Sequence, residues 1–190
     1  YIEGVQNNGI INHYEYIINS EGTIEIRHVL KPEGKMPLWF PRIGLTLTVS
    51  DALDQVKWYG RGPQENYPDR KTGYPTGIYA STVQAMYEPY LMPQDYGLRT
   101  DVRWLQLTTD KGIGLQFKMN EWFNFNIYPY STDNLTKAMY TYQLQKQNGM
   151  TLNLDYATTG VGCTARGVFG AYKAMPQEYR RTISIKPMMK

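Results

Sequence analysis

The sequence predicts an all-β chain, one large antiparallel β-sandwich with at most one short helix. Three observations predict it. Aromatic residues are 14% of the chain, with 17 Tyr and 4 Trp, and such side chains suit the half-buried face of a pleated strand. Apolar and polar residues alternate with a period of two in several short runs, as in residues 43–49, the mark of a strand with one buried face. Two turn clusters, Asn19-Ser20-Glu21-Gly22 and Thr109-Asp110-Lys111-Gly112, separate pairs of such runs as hairpins require. A chain of 190 residues buries about 70% of its unfolded surface, so residues 1–190 read as a single domain.

In chain order, residues 14–18 and 23–30 form the first hairpin, with Ile24, Ile26 and His28 alternating against Glu25 and Arg27. Residues 31–41 hold three prolines and a glycine and read as a connection. Ile43, Leu45, Leu47 and Val49 mark the next strand, 56–59 another, and 78–83 a short one. Residues 102–108 and 113–119 make the second hairpin, and 122–128 continues with Phe123, Phe125 and Ile127 on one face. Ser131-Thr132-Asp133 caps the one short helix, over 134–140. Strands over 151–156 and 179–186 complete the set, and nothing repeats at a fixed period.

Composition excludes several function classes. The net charge is +3 with Lys and Arg spread along the chain, so there is no basic stripe for nucleic acid. No apolar run approaches the ~20 residues of a membrane span, and no signal peptide opens the chain. Cys163 is the lone cysteine, which forbids an internal disulfide and leaves the compartment open between cytoplasm and periplasm. The Asn134-Leu135-Thr136 sequon matters only in a secreted, glycosylating context.

The densest run of constrained residues is 58–70, Trp-Tyr-Gly-Arg-Gly-Pro-Gln-Glu-Asn-Tyr-Pro-Asp-Arg. Gly60 and Gly62 widen the backbone choices, Pro63 and Pro68 fix φ, and Asn66 and Asp69 can bond nearby backbone. Glu65 and Asp69 form a carboxylate pair of the kind glycoside hydrolysis uses. Arg61 and Arg70 beside them favour structural ion pairs, which would hold both acids ionised.

That run, with Met86-Tyr87-Glu88-Pro89-Tyr90, the 93–104 segment Pro-Gln-Asp-Tyr-Gly-Leu-Arg-Thr-Asp-Val-Arg-Trp, and Leu152-Asn153-Leu154-Asp155-Tyr156, closely resembles the C-terminal small-chain domain (domain 5) of β-galactosidases of glycoside hydrolase family 2. The resemblance runs in the same order from about Pro41 to Pro187. It implies a supersandwich related in fold to galactose mutarotases, standing behind a catalytic TIM barrel of the same chain. It further implies that this chain is a C-terminal piece of a longer multidomain glycosidase, whose own small-chain domain begins before Tyr1. The parent would hydrolyse terminal β-D-galactosides with retention, using two glutamates and a divalent metal, magnesium, in the barrel, and would be a homo-oligomer. On that reading no catalytic or metal residue and no cofactor lies in this chain, and alone it is catalytically silent.

The glycine-rich run 160–170 is not a dinucleotide cradle, because no helix pattern follows it. In the family the matching loop carries a tryptophan that stacks on the sugar. Here Gly167 occupies that position and Cys163 that of the second glycine of a pair, so the tryptophan is not carried over. Arg166, as hydrogen-bond donor, and Phe169, as stacking surface, are the substrate-binding candidates in its place.

Other constellations are weaker. His13 and His28 are the only histidines, without the ligand set of a zinc site, and read as edge or rim residues. No serine sits in a G-x-S-x-G elbow. Arg99, Asp101 and Arg103 fall on one strand face as a ladder of ion pairs. The tyrosines between 59 and 90, with Trp58, suit core or interface more than a sugar platform. Two other function classes stay in view: a carbohydrate-binding or mutarotase-like module, for which His13 and His28 would have to supply acid and base, and a purely structural or oligomer-interface domain.

Overall fold

The computed structural model describes residues 2–3, 9–162 and 167–189. Its strands are β1 (Ile2–Glu3), β2 (Gly9–Ile18), β3 (Ile24–Glu33), β4 (Arg42–Val49), β5 (Gln55–Arg61), β6 (Thr76–Thr82), β7 (Arg99–Thr108), β8 (Gly114–Tyr128), β9 (Met150–Thr158) and β10 (Tyr179–Met188). Every pairing is antiparallel. Both expected hairpins form, β2–β3 and β7–β8. At the second, Gly112 takes φ 79°, a turn conformation that costs glycine nothing. No helix among the described residues is long and apolar enough to cross a membrane.

The sandwich is one continuous sheet in the order β1-β2-β3-β10-β8-β7-β5-β6, with β9 also on β8 and β4 on β9. The branch lies on β8, where the sequence reads as two strands and the chain builds one of 15 residues. Residues 114–119 of β8 pair with β10 and residues 124–128 pair with β9. A single core joins Ile26, Val56, Trp58, Leu105, Phe117, Phe125, Leu154 and Ile183. Side chains from both arms of the branch meet there, so the sheet closes over itself.

Alternation predicts one buried face for 122–128, and the structure buries two. Phe123, Phe125 and Ile127 enter the main core, while Asn126 and Tyr128 on the opposite face are equally buried. The cover on that second face is a smaller cluster of Tyr96, Tyr128 and Leu135, flanked by Tyr87, Tyr90, Tyr130 and Leu144. Leu135 comes from the helix α1 (Thr132–Lys137), which Ser131 caps by accepting from the Asn134 amide at 3.0 Å. The cap falls where expected. The helix is shorter than expected, because the chain turns extended at Ala138 and a 3-10 turn follows at Thr141–Gln143.

Two further expectations change. β3 runs on through Glu33, so the connection is shorter than residues 31–41. Pro32 is tolerated because its lost donor is only one rung of the β2–β3 ladder. His28 is not a rim residue, being 1% exposed. Its Nδ1 lies 2.7 Å from the Tyr156 hydroxyl, its Nε2 lies 2.9 Å from Asn12 Oδ1, and its ring stacks on Tyr14. His13 is exposed on β2.

Burial pushes the His28 imidazole down to about 4. The unfolded chain therefore takes up the proton first as pH falls, so the stability of the neutral, bonded ring is full above pH 6.5 and shrinks toward pH 4. In urea titrations, the stability gap between the parent and His28→Gln is expected to narrow by about 3 kcal/mol across that window. A gap that stays constant with pH would assign the proton uptake to another group.

Candidate functional site

The 62–70 segment is an anchored loop, as its residue types predict, and two side chains anchor it. Asn66 is fully buried; its Oδ1 accepts from the Thr100 amide at 3.1 Å and from the Thr100 hydroxyl, and its Nδ2 donates to the Gln64 carbonyl at 3.0 Å. Glu65, with its side chain 8% exposed, accepts from Arg70 Nη2 at 2.7 Å, the Gly97 amide at 2.9 Å, the Tyr67 hydroxyl at 3.1 Å and the Tyr90 hydroxyl. Burial alone would raise its pKa, but the Tyr90, Gly97, Arg70 and Tyr67 donors together hold the carboxyl below its usual range. Glu65 is thus ionised and fully occupied.

Among the described residues Asp69 pairs with no arginine, contrary to the reading of this loop as a nest of ion pairs. Its carboxylate accepts from the backbone amides of Val161 at 3.0 Å and Gly162 at 2.6 Å. It clasps the start of the glycine-rich 160–170 segment. A Cβ at Gly160 would collide with the Asp69 carboxyl, so the clasp needs glycine there. From the other side, the Gly160 amide donates to the Tyr172 carbonyl at 2.9 Å, and the Thr159 hydroxyl bonds the Phe40 carbonyl at 2.6 Å.

The ladder expected on β7 also fails, because the strand is irregular there. Register shifts fall between Arg99 and Val102 and between Val102 and Trp104, and Asp101 is the one non-glycine residue at positive φ, 55°, among those described. Strict alternation is lost. Asp101 turns to Arg61 at 2.6 Å and Lys71 at 2.9 Å, and although burial works against it these partners lower its pKa. Arg99 instead donates to the Pro63 carbonyl at 3.0 Å and the Gly97 carbonyl at 2.9 Å, beneath Trp58. Arg103 stacks between Tyr59 and Trp122.

Beside the loop opens a cleft of about 560 Å³. Tyr67, Arg70 and Tyr90 line it from the anchored loop and its buttress, Thr159 and Val161 lie at and just inside the start of the 160–170 segment, and Arg42, Asp95 and Thr158 stand at the accessible edge of a buried polar layer. That layer is the second face of β8 and β9. Asn153 donates to Asn126 at 2.9 Å and to the Tyr128 hydroxyl at 3.0 Å, and accepts from the Thr46 hydroxyl at 2.7 Å. Asn126 donates to Asp95 at 2.8 Å and to the Tyr96 carbonyl at 3.0 Å. Arg42 donates to Asp155 at 2.9 Å and lies 3.4 Å from Asp95. Burial pushes the Asp155 carboxyl up to about 7, with Arg42 drawing it the other way.

Chemically the cleft offers hydroxyls, guanidinium groups and aromatic edges, and Asp95, the one acid in its described lining, lies against Arg42. It can hold a polar partner, and among the described residues no carboxylate pair lines it. Of the two sequence-predicted substrate contacts, Arg166 lies outside the described residues. Phe169 is 68% exposed and is not among the residues lining the cleft. Trp58 and Tyr67 are core residues, as expected, while Tyr67 and Tyr90 also face the cleft. Arg42, Asp95, Asn126, Asn153 and Asp155 were not anticipated. Their signal is Asn and Asp alternating with large apolar residues in 122–128 and 152–156, which on a strand covered from both sides means a buried polar layer rather than a solvated face.

The sequence family described as beta galactosidase small chain matches residues 3–185. Relatives named beta-galactosidase include one from Priestia megaterium, 38% identical over 147 residues, covering 77% of this chain and 14% of the relative. Another, from Vibrio cholerae, is 39% identical over 122 residues, 64% of this chain and 11% of the relative. A third, from Photobacterium profundum, is 30% identical over 182 residues, 93% of this chain and 17% of the relative. The chain therefore spans less than a fifth of the length of these relatives.

The clasp sets an expectation for Asp69→Ala. With the two amides of Val161 and Gly162 as its partners among the described residues, the global loss should be that of hydrogen bonds to a charged acceptor, about 1.5–3 kcal/mol, rather than the ~3–5 kcal/mol of a broken buried ion pair. Amide hydrogen exchange at Val161 and Gly162 should speed about tenfold or more, with β8 and β9 amides nearly unaffected. Unchanged exchange at those two amides would show that Asp69 holds nothing.

Proposed function

Because the chain belongs to the β-galactosidase small-chain family, we propose that it is the non-catalytic β-sandwich of an enzyme that hydrolyses terminal β-D-galactosides. It supports the catalytic TIM barrel of the same parent chain and offers its 160–170 segment to the sugar, with Arg166 and Phe169 as the contacts. In this reading the two catalytic glutamates and a divalent metal, magnesium, belong to the barrel, and the parent is a homo-oligomer. Neither nucleic acid nor membrane is a partner. Among the described residues no group of three or more His, Cys, Asp and Glu could hold a metal.

The observation that carries the non-catalytic assignment is the state of Glu65. A glycosidase acid keeps its proton in an apolar pocket until it meets the leaving oxygen, and Glu65 is ionised beneath four donors. Asp155 has the raised pKa such an acid needs, but its side chain is 2% exposed, an oxygen is bound to Arg42, and it does not line the cleft. The scaffold half is supported by the surface beside the clasp. Leu38, Trp39, Phe169, Tyr172 and Met175 are all exposed there, and the Phe40–Ala174 bridge holds the two segments side by side. An apolar shelf of this kind flanking a polar cleft suits burial against a neighbouring domain.

The purified 190-residue chain is expected to release no product from an aryl β-galactoside. Hydrolysis that disappears in Glu65→Gln or Asp155→Asn would overturn the assignment.

The sugar-contact half is tested in the full-length enzyme. Deleting residues 163–169 should cut kcat/KM strongly, since positioning supplies up to ~7–11 kcal/mol of a rate enhancement, and Phe169→Ala should raise KM. Full activity after the deletion would leave the domain a scaffold only.

A further inference from the structure

Away from the cleft, and sharing no lining residue with it, a cavity of about 240 Å³ lies between the 84–87 turn, the Pro129–Tyr130 corner and the 141–146 segment. We propose that this cavity binds a neutral monosaccharide unit.

Its walls are aromatic and its polar groups point to a hydroxylated ligand. Tyr87, Tyr96 and Tyr130 line it, with Gln84, Thr141 and Lys146. Tyr96 is 2% exposed, and among the described residues its hydroxyl has no hydrogen-bond partner. A buried hydroxyl left unsatisfied is costly, and ordinary structures avoid it. Tyr87 and Tyr130 line the same space as this hydroxyl's ring, and burial, followed by these two phenols, raises the Tyr96 pKa. Three phenols thus gather around one space. Tyr87 stands edge-on to Tyr96 at 5.3 Å between ring centres, which holds both rings in place.

Size and charge narrow the ligand. The volume is far beyond one water, whose share of liquid is about 30 Å³, and lies just under the ~300–1,000 Å³ of drug-sized pockets. That is room for one sugar ring. Lys146 is the one charged residue in the lining, which is too little for a phosphate or carboxylate site, whereas phenols, an amide and a hydroxyl can exchange hydrogen bonds with ring hydroxyls while aromatic faces take the C–H groups. Tyr140 and Tyr142 flank Thr141 and stack on each other, ring planes 7° apart, with Tyr142 79% exposed. This stacked pair offers a flat apolar surface next to the opening.

The test is saturation-transfer NMR and titration of the 190-residue chain with D-galactose, D-glucose and lactose. Binding is expected for at least one, and Tyr96→Phe should weaken it about 2–10-fold, the range of one lost hydrogen bond. Because Tyr96→Phe removes an unsatisfied hydroxyl, its melting temperature should not fall, which separates a ligand contact from a structural one. Thr141→Phe, at an exposed position, should block the cavity and abolish binding without unfolding the chain. Phe169→Ala should leave it intact. No transfer to any of the three sugars, or transfer that persists in both Tyr96→Phe and Thr141→Phe, would overturn the proposal. So would binding lost only in Phe169→Ala, which would place the sugar at the 160–170 segment instead.

Discussion

A carboxylate taken out of water must be compensated by donors, and at Glu65 that requirement organises one end of the molecule. Its partners come from three places: Arg70 and Tyr67 in its own loop, Tyr90 from the segment after β6, and the Gly97 amide just before β7. Removing one partner of such a set costs the desolvation of those that remain. The loop, the tyrosine-rich segment and the entry to β7 are therefore held as one body. Asn66 extends the same body into β7 through Thr100, and Asp69 reaches across to the 160–170 segment.

The second constraint is the two-sided burial of β8 and β9. A strand covered on both faces is usually apolar on both. Here Asn126, Asn153 and Asp155 occupy one face, and each must find partners among Arg42, Thr46, Asp95 and Tyr128. Directional bonds of this kind fix the register of β4 on β9 more narrowly than apolar packing would, because a slip by one residue would turn every one of these groups into the main core. The same layer supplies Arg42, Asp95 and Thr158 to the cleft, so the cleft's polarity is continuous with the interior of the sheet.

These two constraints bear on function in the same direction. Glu65 and Asp155 are committed to holding the fold, while the hydroxyls and apolar rings left accessible along the cleft are suited to contact. Among the described residues Asp101 is the one non-glycine at positive φ, where a bulge in β7 turns the carboxylate toward Arg61 and Lys71 rather than along the strand. That geometry braces the anchored loop from behind and leaves the clasp on the 160–170 segment facing the cleft.

Strand period, turn chemistry and the helix cap were legible in the sequence, because each depends on residues close together in the chain. The alternation of 43–49, the turns at Gly22 and Gly112, and the Ser131 cap all appear where local rules place them. The anchored loop was legible as a kind of object, from its glycines, prolines and acids. Its pairings were not, since Glu65, Asp69 and Asp101 each had several arginines or amides within chemical reach, and only the folded path decides which comes within hydrogen-bond distance. The expected alternation of Arg99, Asp101 and Arg103 failed because a bulge breaks the period of two. His28 was misplaced on the rim because no local pattern reveals that Tyr156, 128 positions away, brings its hydroxyl to the ring's Nδ1. What the sequence determined was which segments would be strands and which groups would need partners; which partners they took was decided by tertiary structure, because burial removes water and leaves only the neighbours that the closed sheet brings.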